Sequence, residues 1–271
     1  MIWNLLTTLA LGYVILVALV FVLQPRMIYF PDTVIATTPR AYGLQYEDVR
    51  IRTEDGETLG AWWIPAPQAK GTVLLFHGNA GNVSHRIDYA KMFHGLGYST
   101  LLVDYRGFGT STGSASEEGT YRDAAASWRW LIETRGAKPE TIVIFGESLG
   151  GGIATWLAVQ HNPRALMLAS TFTSVTDLAS QLYPFLPVRL ISRYRYESLD
   201  RVAKLNVPIF IAHSPQDEII PYAHGRRLFE AAREPKTFLE MRGGHNEGFV
   251  FAREEWVKAV AVFLTQIQKV K

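Results

Sequence analysis

The sequence predicts an α/β fold: a mostly parallel central sheet with helices on both faces, an antiparallel hairpin at its start, and one apolar helix ahead of everything else. Three observations predict it. Apolar runs of strand length recur along the chain, and the stretches between them have the length and periodicity of crossover helices. The runs are continuous rather than alternating, as in strands buried on both faces of a parallel sheet. Finally, the chain opens with an uncharged segment long enough to cross a bilayer.

That opening segment carries no charge from Ile2 to Pro25, and Leu5 to Leu23 is almost wholly apolar. As a helix, Leu5–Leu23 would run for roughly 28 Å, close to a hydrocarbon core of about 30 Å. Trp3 at one end and Tyr29 with Phe30 at the other suit the aromatic belts of the interface. A cleaved signal peptide would show a basic start, a shorter apolar core and a small-x-small cleavage site, and none is evident. The expected organisation is a transmembrane anchor at 1–25, a juxtamembrane linker at 26–44 and a catalytic domain at 45–271. No Lys or Arg precedes the span, whereas Arg26 and Arg40 follow it, which puts the domain on the cytoplasmic side.

Composition excludes several functions. Twenty-seven Lys and Arg against 25 Asp and Glu give a net charge of +2 over 271 residues, too small for broad capture of nucleic acid. The chain has no Cys, so it has no disulfide, thiol nucleophile or thiolate metal site; the redox compartment stays open.

After the anchor, QYEDVRIRT and TLGAWWI flank EDGE, whose Asp55-Gly56 is a strong hairpin signal. A short Pro/Ala/Gly stretch, 65–71, leads to the apolar runs at 72–77, 98–105, 141–146, 165–170, 208–214 and 236–241. Helical pattern fills 117–135 and 221–233. In such a sheet, chemistry collects at the carboxyl ends of the strands.

Two pentapeptides there fit G-x-S-x-G. Gly146-Glu147-Ser148-Leu149-Gly150 lies between the strand TIVIF and a helical run. In that setting a sharp turn lifts the serine hydroxyl above the sheet and the next helix N-terminus favours developing negative charge. Gly109-Thr110-Ser111-Thr112-Gly113 follows its strand by several loop residues and opens into more loop, so it reads as a Gly-rich connection.

A serine hydroxyl needs a base, and the base needs an orienting acid. His245, in the loop after the last strand run, and Asp217, just past the penultimate one, complete the chain order Ser, Asp, His at three strand ends. Glu218 is a rival carboxylate. His161 reads as a helix stop, His213 as packing near the acid loop and His77 as structural. His85, His94 and His224 read as solvated. No pair of these histidines has metal-ligand spacing with a carboxylate partner, so no metal or other cofactor is expected. After the run at 72–77, Gly78-Asn79-Ala80-Gly81 would aim a backbone N–H above Ser148, with a second donor from Leu149.

FHGNAGN, DYRGFGTSTG, GESLGG, SPQDEIIP and GGHN together resemble the α/β-hydrolase superfamily over essentially 45–270, and in particular its single-span, membrane-anchored serine hydrolases, which are esterase- or lipase-like. The resemblance implies the α/β-hydrolase fold, Ser148 as nucleophile, His245 as base, Asp217 as orienting acid, and Asn79 and Leu149 as oxyanion donors. It implies hydrolysis of carboxylic esters of lipid-like substrates, of monoacylglycerol or lysophospholipid type, with the bilayer as partner through the N-terminal helix. An acyl-protein thioesterase, a peptidase and a catalytically silent membrane scaffold remain alternatives. The apolar, aromatic stretch 171–207 admits two readings, a small lid over Ser148 or a lengthened crossover.

Overall fold

The computed structural model describes residues 1–247 and 253–269. Residues 248–252 and 270–271 of the expected catalytic unit lie outside the described residues. In chain order, helix α1 (Ile2–Ile28) leads into a short strand β1 (Phe30–Pro31), then the hairpin β2 (Glu47–Arg52) and β3 (Thr58–Ile64). Next come β4 (Thr72–Phe76), the two-residue β5 (Ala80–Gly81), α2 (Ile87–Gly95), β6 (Ser99–Val103) and α3 (Glu117–Glu133). The chain continues through β7 (Ile142–Glu147), α4 (Leu149–His161) and β8 (Ala165–Ala169) to three short helices, α5 (Val175–Leu182), α6 (Val188–Ile191) and α7 (Ser198–Val202). It closes with β9 (Ile209–His213), α8 (Tyr222–Ala231), β10 (Lys236–Glu240) and α9 (Glu254–Lys269).

Eight of these strands form one sheet in the order β10-β9-β8-β7-β4-β6-β3-β2. The six strands from β10 to β6 are parallel; β3 and β2 join antiparallel, paired from Glu47↔Trp63 to Arg52↔Thr58. Every apolar run of the sequence is thus a strand. Both faces of the inner parallel strands are buried, as their continuous composition requires, while the edge strand β10 is half-buried: in β4, Leu74 and Phe76 pack with α3 and α4, while Val73 and Leu75 pack with α2 and α9. Strand order reverses at β4, between β6 and β7. The crevice above the carboxyl ends of β4 and β7 is therefore where a doubly wound sheet places a ligand.

The N-terminal boundary differs from expectation. Helix α1 runs past residue 25 to Ile28, through Pro25, and is long and apolar enough to cross a membrane by length and composition. The stretch expected to be a linker is folded onto the domain. Strand β1 pairs in parallel with β5, and Tyr29, Pro39 and Leu44 are buried. Isolated tyrosine, proline and leucine positions carry no periodicity, so this docking left no pattern to read.

Candidate active site

The turn from β7 into α4 is tight. Ser148 holds φ 51° and ψ −119°, a strained conformation for a residue with a Cβ. The flanking glycines are fixed by space. A Cβ on Gly150 would lie 2.1 Å from the Phe76 carbonyl oxygen, and one on Gly146 would lie 2.5 Å from that of Gly150. The turn thus presses α4 against the end of β4 and presents Ser148 at the start of the helix.

Three residues separated in sequence meet there. His245 Nε2 is 3.1 Å from Ser148 Oγ, and His245 Nδ1 is 2.8 Å from Asp217 Oδ2. With Nδ1–H donating to the carboxylate, Nε2 is left to accept from the serine hydroxyl. The other oxygen of Asp217 accepts the backbone N–H of Ile219 at 3.0 Å and of Ile220 at 2.7 Å. Burial works against the charge of Asp217, but hydrogen bonding from His213 and His245 and from the Ile220 N–H outweighs it. The carboxyl is held well below the usual carboxylate range. Glu218, the rival acid, takes a different part: its carboxylate accepts the backbone N–H of His245 at 2.8 Å and fixes the loop rather than the ring.

Asn79 and Leu149 line the same cavity as Ser148 and His245. Leu149 is the first residue of α4, so its N–H belongs to the unpaired donors of a helix start. The side chain of Asn79 donates to the Ile28 carbonyl and its own carbonyl accepts from the Phe30 N–H, both at 2.8 Å.

The cavity holds about 470 Å³, within the usual range for small-molecule sites. Its roof is the 171–207 segment, including Phe172, Val175, Leu178, Leu182, Leu186 and Ile191. Part of it comes from the short helices α5 and α6.

Two features of the surroundings escaped the sequence, the Arg86–Glu147 pair and the burial of His224. Arg86 Nε meets Glu147 Oε2 at 2.7 Å in the cavity wall; Glu147 is the first of the two variable residues of the serine pentapeptide, and a charge at a buried strand end was the available signal. His213, expected near the acid loop, donates from Nε2 to the Ile220 carbonyl at 2.8 Å and lies 3.4 Å from Asp217. His224, expected to be solvated, is buried: its Nδ1 lies 2.8 Å from Thr173 Oγ1 and 3.2 Å from the Thr173 N–H. Burial first, and Arg227 second, push its imidazole down to about 4. A single His on a short amphipathic helix gives no sign of which face it occupies.

A hydroxyl bonded to an imidazole whose far nitrogen meets a buried carboxylate can give up its proton as it attacks an electrophilic carbon. Set on a strand–turn–helix elbow at the reversal point of this sheet, that constellation defines the α/β-hydrolase class. The comparisons agree. A family model described as the alpha/beta hydrolase fold matches residues 71–199. The alpha/beta hydrolase domain-containing protein WAV2 of Arabidopsis thaliana is 33% identical over 276 residues, spanning 92% of this chain and 89% of that one. The chain belongs to the α/β-hydrolase family. An uncharacterized protein of Mycobacterium tuberculosis strain H37Rv is 38% identical over 246 residues, 90% of this chain and 88% of its own. Among solved structures, an esterase of Pyrococcus furiosus shares the fold at a TM-score of 0.72 and 21% identity, over 88% of this chain and 97% of that one.

Proposed function

We propose that this protein is a membrane-anchored serine hydrolase that cleaves carboxylic esters of lipid-like substrates, of monoacylglycerol or lysophospholipid type, through an acyl-enzyme on Ser148. The observation that carries the reading is the hydrogen-bonded line Ser148–His245–Asp217 opening into a mostly apolar cavity. Ser148 Oγ adds to the ester carbonyl carbon as His245 Nε2 takes its proton. The oxyanion forms against the N–H groups of Leu149 and Asn79, each such donor typically contributing about 10²–10³ in rate. The C–O bond to the alcohol then breaks, and His245 returns the proton to the leaving oxygen. Water, deprotonated in turn by His245, releases the acid and restores Ser148. Asp217 stays ionised throughout and stabilises the imidazolium. Helix α1, as a bilayer anchor, holds the site beside a sparingly soluble substrate and raises its effective concentration.

The full-length protein, assayed on p-nitrophenyl esters, a monoacylglycerol, an acyl thioester and a peptide, should hydrolyse the oxygen esters fastest. Preference for the thioester or peptide would transfer the assignment to those classes. No turnover of any substrate by the folded protein would contradict a hydrolase.

A further inference from the structure

Residues 13, 17, 20, 24 and 28 of α1 follow the spacing of a single helix face. That face is docked on the domain. Tyr13 Oη donates to the Phe185 carbonyl at 2.8 Å, and Val17 and Val20 are half-buried among exposed neighbours. Gln24 is only 8% exposed; its Nε2 donates to the Ile191 carbonyl and its Oε1 accepts the Arg193 N–H, both at 2.8 Å. Asn79, from the loop above Ser148, donates to the Ile28 carbonyl. Val20, Gln24, Met27 and Ile28 line the cavity that holds Ser148 and His245. A helix that only tethers has no use for a buried glutamine, which in an apolar span is costly unless paired at both ends.

The roof segment rises along the same helix. The Arg193 guanidinium sits 5.5 Å from the Phe21 ring, a charge suited to the headgroup level. The Phe185 turn lies beside Tyr13, about 12 Å further along the helix, against a leaflet of about 15 Å. Leu182, Tyr183, Phe185 and Leu190 are exposed there, the last two at 62% and 88%. Part of the backbone of this turn is already paired or lacks a donor. Pro184 and Pro187 have no N–H, the N–H groups of Tyr183 and Leu186 bond to the carbonyls of Ala179 and Tyr183, and Tyr13 covers the Phe185 carbonyl.

We infer that the inner half of α1 is a wall of the substrate pocket, and that with the 182–190 turn it opens the pocket sideways into one leaflet of the bilayer. The substrate is then a single-chain acyl ester taken from the membrane plane, its chain running along Val20 and Gln24. The inference rests on the ester-hydrolase reading above.

The test compares full-length Val20→Trp with Val22→Trp, which changes a position 65% exposed on α1 that does not line the cavity. Each is measured on p-nitrophenyl butyrate and palmitate. Filling the pocket wall should lower the palmitate-to-butyrate ratio of kcat/KM by about tenfold or more, the scale of steric discrimination in an apolar pocket, whereas Val22→Trp should leave the ratio at the wild-type value. Equal ratios in the two variants would overturn the inference. Should Val20→Trp fail to fold, Gln24→Leu serves: it removes the two hydrogen bonds that hold residues 191 and 193 against the pocket-lining part of α1 and should lower the same ratio, and an unchanged ratio would overturn the inference. Wild type inactive on both esters removes the hydrolase reading and this one with it. An active wild type with insensitive variants removes this one alone.

Discussion

The two G-x-S-x-G loops share a pattern and differ in everything around it. Ser148 stands on a strained turn between strand and helix, with its hydroxyl facing His245 in an open cavity. Ser111 sits in the loop between β6 and α3, where its hydroxyl donates to the Asp104 carbonyl and accepts the Gly60 N–H, both at 2.8 Å. An Asp and a His stand near the second loop as well: His77 Nε2 is 3.3 Å from Asp104 Oδ1. Yet His77 is fully buried, its Nδ1 lies 2.7 Å from the Gly78 carbonyl, and Ser111 reaches only the backbone of Asp104. A motif therefore supplies residue types; the hydroxyl is available for chemistry only where the fold leaves it with a base and without a backbone partner.

Substitution separates the loops most sharply at the serines. Ser148→Ala should lower kcat by about 10⁶, the scale expected when a nucleophile of this kind is removed, while Ser111→Ala keeps kcat within about threefold, both read on a short p-nitrophenyl ester. Comparable losses would mean that the second loop has a chemical role. The acids give the next largest contrast. Asp217→Asn should cost about 10⁴ in kcat by denying His245 its tautomer. Asp104→Asn, which disturbs the acceptor of the Val83 N–H, should leave kcat nearly intact and lower the melting temperature, since a buried acceptor left poorly matched costs about 1–3 kcal/mol.

Acid sensitivity offers a smaller effect that guards the comparison against a false signal. The imidazole of His224 is held near 4, below its value of about 6.5 in an unfolded chain. The unfolded state thus binds the extra proton first. The stabilisation is complete above about pH 6.5 and is lost as pH falls toward 4, by up to about 3 kcal/mol over that window. His224→Asn should flatten the melting temperature between those pH values, which distinguishes acid unfolding from protonation of the reacting imidazole. The smallest effect is the stability cost of Ser111→Ala, about 1 kcal/mol for hydrogen bonds between loop and sheet, measured by denaturant unfolding.

Much of this was legible in the residues. Continuous apolar runs mark the six parallel strands of the central sheet, Asp55-Gly56 marks the hairpin, and the local setting of each pentapeptide is enough to rank Ser148 above Ser111. Asp217 and His245 were found by chain order at strand ends, where the structure brings them to Ser148. What stayed hidden depends on contacts across long sequence separations. The Arg86–Glu147 pair joins a loop to a strand end 61 residues away, and Gln24 meets Ile191 across 167. A uniformly apolar helix displays no face in its composition, so the docked side of α1 became visible only with its partners in place. His224 escapes for the same reason, its buried ring being bonded to Thr173, 51 residues away in sequence.

The central claim is that Ser148 is the nucleophile of a serine hydrolase. Intact-mass measurement after treatment with a fluorophosphonate tests it most directly. Wild type should gain one phosphonyl adduct, mapped to the peptide carrying Ser148, and Ser148→Ala should gain none. An adduct that persists in the variant, or a folded wild type that takes up none, would contradict the account.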